Sequence, residues 1–208
     1  MNETADGWRS SDTRRSLTPK GKETRERIFS AAITLINRDG FDAVSLQEIC
    51  TADGVSVGSF YHHFRSKHDL LVAYVREESD EIAILYAGLT GSARERIRRT
   101  VHTFFSFYLV KGPAFVSAFY AAILATRGEL FLPRDFSLFS VLETALQEGK
   151  DGGEFRADLP VEVMQSLVVG LIWEITIRWT MKSETVGLLA EADRSVEVLL
   201  DLFAGFSR

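Results

Sequence analysis

Two helix-start signals lie close together in the segment from Ser45 to Phe64, on either side of a glycine. The first is a capping box from Ser45 to Glu48, in which each of the two end side chains accepts a hydrogen bond from the other's backbone amide. Gly54 can adopt the positive φ of a tight reversal, and Ser56 caps the segment that follows. The pattern predicts two short helices joined by a tight turn, which is a helix-turn-helix.

The rest of the chain has the residue spacing of helices rather than strands. Ile28, Ala32, Leu35 and Ile36 recur at intervals of one helical face, and no sustained alternation of period two occurs. Three of the four prolines stand where helices are predicted to begin, a position that tolerates proline. We predict an all-α fold, with a long fourth helix from Ser66 to the high eighties and further helices over 22–38, 93–110, 113–126, 134–149, 160–181 and 186–205.

The leading turn of the second short helix has the composition of a DNA-reading element. A helix-turn-helix inserts the N-terminus of its second helix into the major groove, which requires small or polar groups there. Ser56, Val57, Gly58 and Ser59 occupy that turn. Gly58 has no Cβ, so its backbone can approach phosphate or base edges closely, and the helix N-terminus itself favours phosphate.

The charge of the chain is uneven. The net charge of −5 and the pI of about 5.5 argue against a protein that coats nucleic acid non-specifically. Residues 1–76 hold eleven Lys/Arg and ten Asp/Glu, whereas residues 77–208 hold thirteen and nineteen. Residues 9–27 alone carry seven basic and three acidic side chains. Charge alone leaves two interpretations open, a basic arm that contacts nucleic acid and a solvated tail.

The number of cysteines and the length of the apolar runs indicate in which cellular compartment the protein is expected. Cys50 is the single cysteine, so no intrachain disulfide forms and a reducing cytoplasm is expected. It is either a small buried hydrophobe or a redox sensor. The longest apolar runs, 112–126 and 163–173, are shorter than the ~20 residues of a membrane helix, so we predict no membrane partner.

Sequence signals of catalysis and metal binding are missing. The chain has no Gly-rich phosphate loop, no His-Glu-x-x-His spacing and no nucleophile elbow, so we predict no enzyme activity and no cofactor. His62, His63 and His68 are spaced so that no two of them share one helical face. We therefore predict no metal site.

Three stretches, 24–32, 40–49 and 54–71, together resemble a known family. Their densest part is the pattern formed by Gly58, Tyr61, His63, Phe64, Lys67 and Leu70. Over approximately residues 22–75 the chain is similar to the TetR (tetracycline-repressor-like) family of transcription regulators. The remaining two thirds resemble the family only in their helical layout, which is usual for its variable ligand domains.

The resemblance implies a set of DNA contacts. Phosphate contacts are expected from the capping amides near Ser45 and from Tyr61, His63 and Lys67. The residues expected to face the groove are Ser56, Val57, Gly58, Ser59 and His62. Gln47 and Arg25 are further candidates for DNA contact. The family often has Lys, Arg or Thr where Val57 and Ser59 stand, so we expect contact with thymine methyls or shape readout here.

Aromatic residues are concentrated in the second part of the chain. Nine of the fifteen phenylalanines lie between residues 104 and 155. They either pack a helical core or line an apolar ligand cavity, and the resemblance favours a cavity in this domain. The candidate ligand-binding residues are His102, Phe105, Tyr108, Phe115, Phe119, Tyr120, Phe139 and Trp173, with Phe104, Phe131 and Phe136 as further aromatics and Glu174 as a further polar group.

The last two predicted helices are apolar around much of their circumference, which indicates a second surface to cover. In the resembled family the corresponding helices form a four-helix bundle with the same pair of a second subunit. The expected dimer contacts are Met164, Leu167, Val168, Leu171, Val196, Leu199, Leu200 and Phe203, with close approach at Gly170, Ser166 and Ser195. A twofold dimer also suits two recognition helices one DNA turn apart.

We therefore predict a disordered basic tail over 1–20, a three-helix helix-turn-helix DNA-binding domain over 21–72 and a helical ligand-binding and dimerisation domain over 73–208, joined through the fourth helix. The expected function is a cytoplasmic homodimeric repressor that leaves a pseudo-palindromic double-stranded operator when a small, largely apolar effector binds. Three alternatives stay open: an activator, a ligand-independent regulator and a helical protein-binding module that has lost DNA contact.

Overall fold

The computed structural model describes residues 18–125, 136–182 and 187–205. Within these residues the secondary structure is helical throughout, as predicted. The predicted tail therefore lies outside the described residues except for its last three positions, and so does Phe131. The helices are α1 (Pro19–Asp39), α2 (Leu46–Asp53), α3 (Val57–His63), α4 (Lys67–Ala87), α5 (Ala93–Lys111), α6 (Pro113–Ala125), α7 (Ser137–Asp151), α8 (Val161–Lys182) and α9 (Leu188–Ala204).

The helix starts follow from local hydrogen bonding. The predicted capping box of α2 is present, since Ser45 Oγ accepts from the Glu48 amide at 3.1 Å and the Glu48 carboxylate accepts from the Ser45 amide at 2.7 Å. Gly54 ends α2 in the left-handed region with a φ of 66°. Ser66 caps α4, since its Oγ accepts from the Asp69 amide at 3.0 Å, while the Asp69 carboxylate accepts from the Arg65 amide at 2.8 Å.

The first three helices share one small apolar core. Ile28 and Ile36 of α1, Ile49 of α2 and Phe60 of α3 are fully buried. Phe64, directly after α3, packs between α3 and α1, with its ring centroid 5.3 Å from that of Phe60. Cys50 lies in this core and burial raises the pKa of its thiol, which disfavours the reactive thiolate and agrees with the interpretation of a buried hydrophobe.

Helix α4 packs against both parts of the molecule along its length. Tyr74 packs edge-on against Phe29 of α1, with ring centroids 4.8 Å apart, and Val75 and Ile82 are buried on α4 as well. A straight helix of 21 residues is about 30 Å long, so the two ends of α4 reach different parts of the molecule. Leu70, Leu71 and Val75 belong to one continuous apolar cluster that includes buried residues of the first three helices and of the later ones, so the two parts are joined by a regular helix and not by a loop.

The remaining helices pack around the second half of α4. Helix α5 contacts α9 and α7, and α8 pairs with both α7 and α9. The turn between α5 and α6 is tight because Gly112 adopts a φ of 85°. Within the described residues no single helix is long and apolar enough to cross a membrane, and by length and composition alone only α5 with α6, a pair bent by 108°, passes that test.

One close approach in this domain depends on a glycine. A Cβ added at Gly149 of α7 would lie 2.4 Å from the Phe155 ring and 2.7 Å from the Ala93 Cβ, whereas one added at Gly58 would meet only Ser56 Oγ, at 3.8 Å. We expect Gly149→Ala to lower the free energy of unfolding by about 1–3 kcal/mol through overpacking. The matched control is Gly58→Ala. Its free energy of unfolding, measured with urea, should not fall and can rise by about 0.5–1 kcal/mol. Equal stability of the two variants would contradict this packing.

Candidate DNA-binding surface and ligand cavity

The recognition helix α3 exposes its leading turn. Ser56 caps it by accepting a hydrogen bond from the Ser59 amide at 3.1 Å, which orients the first free amides outward. Ser56 and Gly58 are exposed, and Val57 and Ser59 are half-buried. The helix is seven residues long and carries no acidic side chain. The surface is therefore small, neutral to basic and accessible, as the insertion of a helix into the major groove requires.

Gly58 is not required by the protein's own packing. A Cβ at this position has ordinary van der Waals contact with Ser56 Oγ alone, and the backbone is in a conformation open to any residue. Glycine in a helix costs about 0.5–1 kcal/mol relative to alanine. The open space next to Gly58 lies outside the protein, which agrees with the expectation of close backbone approach to DNA.

Tyr61 and His63 lie further along α3. Tyr61 is 58% exposed, and its ring is held edge-on by Phe60 at a centroid distance of 5.7 Å. His63 is half-buried, and its Nδ1 atom is buried without a hydrogen-bond partner among the described residues. Burial, with smaller effects of His62 and Arg25, lowers the pKa of His63. The neutral ring is therefore favoured, and a neutral imidazole keeps one N–H that can donate to a phosphate.

Lys67 is turned toward the protein. Its Nζ donates to the backbone oxygens of Phe41 and Val44, at 2.6 and 2.5 Å, and lies 4.3 Å from the centroid of the Phe41 ring. Burial lowers the pKa of this ammonium. Lys67 thus holds the loop that leads into Ser45. A phosphate contact from Lys67 stays a prediction, and the contact would use the third N–H of the ammonium, since the other two donate to the loop.

Arg25 links three helices instead of standing free at the surface. Its Nε donates to a Glu77 carboxylate oxygen of α4 at 2.5 Å, and one of its terminal nitrogens donates to the carbonyl of His63 at 3.2 Å. Its guanidinium carbon lies 4.4 Å from the centroid of the Phe64 ring. The sequence pattern missed this role because the partner residues are far away in the chain. Ser45, Gln47 and His62 are exposed, as expected of DNA contacts.

A second contact joins α1 to the C-terminal domain. The Asn37 side-chain amide donates to the carbonyl of Lys111 at 2.7 Å, and its oxygen accepts from the amide of Phe115 at 3.3 Å. It thus pairs the last carbonyl of α5 and an unpaired first-turn amide of α6. A side chain at Gly112 would collide with Asn37, since an added Cβ would lie 2.9 Å from its Oδ1.

A largely apolar cavity lies between α4, α5, α6, α7 and α8. Its volume is about 40 Å³, room for very few water molecules. Of the expected residues, Tyr108, Phe119, Tyr120, Phe139 and Trp173 line it, together with Phe104 and Phe136. The lining residues that sequence analysis missed are Val75, Glu78, Ser79, Ile82, Phe107, Leu138, Val169 and Ile172.

Four expected ligand contacts lie elsewhere. Phe105 is fully buried away from the lining, and Phe115 packs edge-on against Tyr74 at 5.5 Å. His102 Nδ1 is 2.9 Å from an Asp193 carboxylate oxygen, which joins α5 to α9. Glu174 pairs with Arg178 at 2.8 Å. The periodicity of α5 could not separate its outer face from its cavity face, because aromatic residues occur on both sides.

Polar groups at the cavity are few and specific. The hydroxyl groups of Tyr108 and Tyr120 are 3.4 Å apart and deeply buried, and burial raises the pKa of both. Ser79 Oγ accepts from the Leu138 amide at 3.1 Å, so it ties α4 to α7. The Glu78 carboxylate accepts from the Tyr74 hydroxyl at 2.5 Å.

The two last helices present a different face from the one expected. Five of the eight expected dimer residues, Met164, Val168, Val196, Leu200 and Phe203, are fully or almost fully buried inside this chain, so the structure corrects their placement. The exposed apolar residues of α8 follow one stripe, Val163, Leu167, Ile177 and Met181, and those of α9 are Val198 and Leu202. Leu171 and Leu199 are half-buried beside an open groove that Gly170, Ser166 and Ser195 also line.

The exposed hydroxyl of α3 allows a test of the DNA surface. We expect Tyr61→Phe to weaken DNA binding about tenfold, since a hydrogen bond to a charged group contributes about 1.5–3 kcal/mol. The salt dependence should not change because no charge is removed. Tyr86→Phe makes the same change at a hydroxyl that bonds the Arg99 carbonyl of α5 and should bind DNA as the wild type does. Fluorescence anisotropy over a salt series measures both, and wild-type affinity of Tyr61→Phe would exclude this contact.

Comparison with known families identifies both halves of the chain. The family described as bacterial regulatory proteins, tetR family, matches residues 28–74, and the YsiA-like protein C-terminal region matches residues 136–202. The repressor KstR2 of Mycolicibacterium smegmatis is 24% identical over 166 residues, 74% of this chain and 78% of that protein. The fatty acid metabolism regulator protein of Bacillus subtilis is 23% identical over 182 residues, 84% of this chain and 92% of that protein.

Solved structures show the same fold. FadR from Bacillus subtilis in complex with stearoyl-CoA aligns with a TM-score of 0.65 at 22% identity, over 85% of this chain and 97% of that one. FadR from Thermus thermophilus in complex with lauroyl-CoA aligns with a TM-score of 0.66 at 22% identity, over 88% and 96%. Together with the helix-turn-helix at 46–63, these matches show that the chain belongs to the TetR family of DNA-binding transcriptional regulators.

Proposed function

We propose that this regulator is a homodimeric repressor that is released from its operator when a long apolar ligand enters the cavity of the C-terminal domain. One observation carries the proposal: α4 contacts α1 of the DNA-binding domain, where Tyr74 packs on Phe29 and Glu77 bonds Arg25, and it also contributes Val75, Glu78 and Ile82 to the cavity wall. A change in the position of this wall moves the helix that supports the recognition helix. Binding and release are thereby coupled through one rigid element.

The shape and chemistry of the cavity support an apolar, chain-like ligand. Its wall is mostly aromatic and aliphatic, and its volume of about 40 Å³ is far below the ~300–1,000 Å³ of typical ligand sites. A ligand must therefore separate the walls, so it binds the expanded state better than the closed one, which is the condition for a population shift. The FadR structures with stearoyl-CoA and lauroyl-CoA support an acyl-CoA as the first ligand to test.

Two side-chain contacts can carry this change to the DNA-binding domain. Glu77, which bonds Arg25 of α1, is the direct neighbour of Glu78 in the cavity wall. Asn37 of α1 bonds the turn between α5 and α6, two helices that supply the other walls. A shift of α4 relative to α5 and α6 therefore reorients α1, and α3 with it. In a dimer this alters the separation of the two recognition helices.

The homodimer is proposed to form through the groove between α8 and α9. The exposed Leu167 and Val198 flank Gly170, where an added Cβ would have no neighbour within 4 Å, so a partner helix can approach closely. Two recognition helices one helical turn of DNA apart, about 34–36 Å, read a pseudo-palindromic operator. Such a regulator acts in the cytoplasm, where bacterial DNA lies.

The central experiment measures DNA affinity with and without ligand. DNA selected from random sequences supplies the operator, and anisotropy gives its affinity. We expect lauroyl-CoA to weaken binding at least about tenfold, which corresponds to a coupling of ~1.4 kcal/mol, while free CoA as control has no effect. Lauroyl-CoA that binds in calorimetry but leaves operator affinity unchanged would contradict ligand release. A promoter reporter should rise when the gene is deleted, and a fall would identify an activator instead.

The dimer surface is tested with a charge placed on the exposed stripe. We expect Leu167→Glu to shift the protein to monomers in sedimentation, because a carboxylate buried without a partner costs several kcal/mol. Leu124→Glu is the matched control, since Leu124 is 72% exposed on α6, outside this groove. Leu167→Glu should also lose operator affinity as the second half-site contact is lost. A Leu167→Glu protein that stays dimeric would place the interface elsewhere.

A further inference from the structure

The cavity presents a single ionisable acid in an otherwise apolar wall. Among the described lining residues Glu78 is the charged one, and the other polar side-chain groups are the hydroxyls of Ser79, Tyr108 and Tyr120 and the indole N–H of Trp173. The Glu78 side chain is 26% exposed, and its Oε1 accepts a hydrogen bond from Tyr74 at 2.5 Å. Glu78 thus brings the one formal charge of the described lining to the edge of an apolar space.

The compensating cation lies behind the wall. Lys111 Nζ is 3.7 Å from Glu78 Oε1, and the Lys111 side chain is 19% exposed. The ammonium lies against aromatic rings, 5.1 Å from the Tyr74 centroid and 5.3 Å from the Phe107 centroid. Lys111 does not line the cavity, whereas Phe107 does. Glu78 is therefore the member of the pair that belongs to the lining, and Lys111 lies outside it against the rings.

A second cation near the cavity is arranged in the same way. The Arg76 guanidinium carbon lies 5.8 Å from the centroid of Phe136, a lining residue, while Arg76 is not part of the lining. Each cation thus lies near one ring of the lining, Lys111 near Phe107 and Arg76 near Phe136, without belonging to the lining itself. Their presence does not place a hydrogen-bond donor with positive charge inside the cavity.

This arrangement discriminates by charge. A carboxylate that enters loses its hydration and approaches a residue of like charge. An alcohol, amide or thioester loses much less hydration, and a hydroxyl can donate to Glu78. We propose that Glu78, which is paired with Lys111 outside the lining, makes the cavity select long-chain ligands whose functional group is uncharged, and exclude free carboxylic acids of the same length. This inference rests on the proposed apolar ligand in the same cavity.

Removal of the Glu78 charge should restore the binding of carboxylic acids. Glu78→Gln keeps an oxygen that can accept from Tyr74 but removes the negative charge. Lys111 is then left without its partner, so its positive charge, no longer compensated, attracts a ligand carboxylate across the wall without direct contact. The backbone carbonyl of Lys111 that bonds Asn37 is not altered by this change.

The experiment compares dodecan-1-ol with dodecanoate by calorimetry on the full chain. We expect the wild type to bind the alcohol at least about tenfold more tightly than the acid, and Glu78→Gln to bind the acid at least about tenfold more tightly than the wild type does, each about 1.4 kcal/mol. Glu81→Gln removes the same charge from an exposed position on α4 and should keep the wild-type preference. The double variant Glu78→Gln with Lys111→Met should lose the gained acid binding.

The outcomes separate this inference from the proposed function. Equal affinity of the wild type for alcohol and acid, or an unchanged ratio in Glu78→Gln, overturns the role of Glu78 even when both ligands release DNA. Failure of both ligands to bind the wild type overturns the apolar-ligand proposal and this inference together. Circular dichroism of each variant checks folding. If Glu78→Gln does not fold, Lys111→Met serves instead. Lys111→Met should weaken the binding of dodecanoate more than it weakens the binding of dodecan-1-ol.

Discussion

Helix α4 is the constraint on which the rest of the structure depends, because its side chains contact both the DNA-binding domain and the cavity. Tyr74 packs on Phe29 of α1 and Glu77 bonds Arg25, while Val75 and Ile82 line the cavity. These residues lie on one continuous helix whose backbone is stiffened by its hydrogen bonds. A displacement of the cavity wall on α4 is therefore passed to the DNA-binding domain through the same helix.

Side chains from α1 reinforce this connection at two points. Arg25 bonds Glu77 of α4 and the end of α3, while Asn37 bonds the turn between α5 and α6. Each such bond contributes about 0.5–3 kcal/mol, comparable to a typical allosteric coupling. The closed cavity and these contacts describe one state of the molecule. A ligand that moves the aromatic walls apart changes the positions of α4, α5 and α6, on which the Arg25 and Asn37 contacts depend.

The charged groups show that residue type alone does not define a role. Lys67 and Arg25 look like phosphate ligands in the sequence, yet both bond oxygens of the protein itself. Glu78 looks like a solvated helix residue, yet it lines an apolar cavity with Lys111 behind it. In each case a partner comes from another helix or loop, more than twenty residues away along the chain. No pattern of spacing within one helix contains that information.

The sequence by itself determined the elements and the DNA-reading motif, since these depend on interactions within a few residues. Capping boxes, glycine turns and the apolar periodicity of α1 predicted every described helix to within three residues at each end. Tertiary structure alone decided which side of an all-round apolar helix is inside. Met164 and Val196 were expected at a dimer surface but pack in the core, while Leu167 and Val198 are exposed. The physical reason is that burial depends on the neighbouring helices, and α8 is apolar on both of its sides.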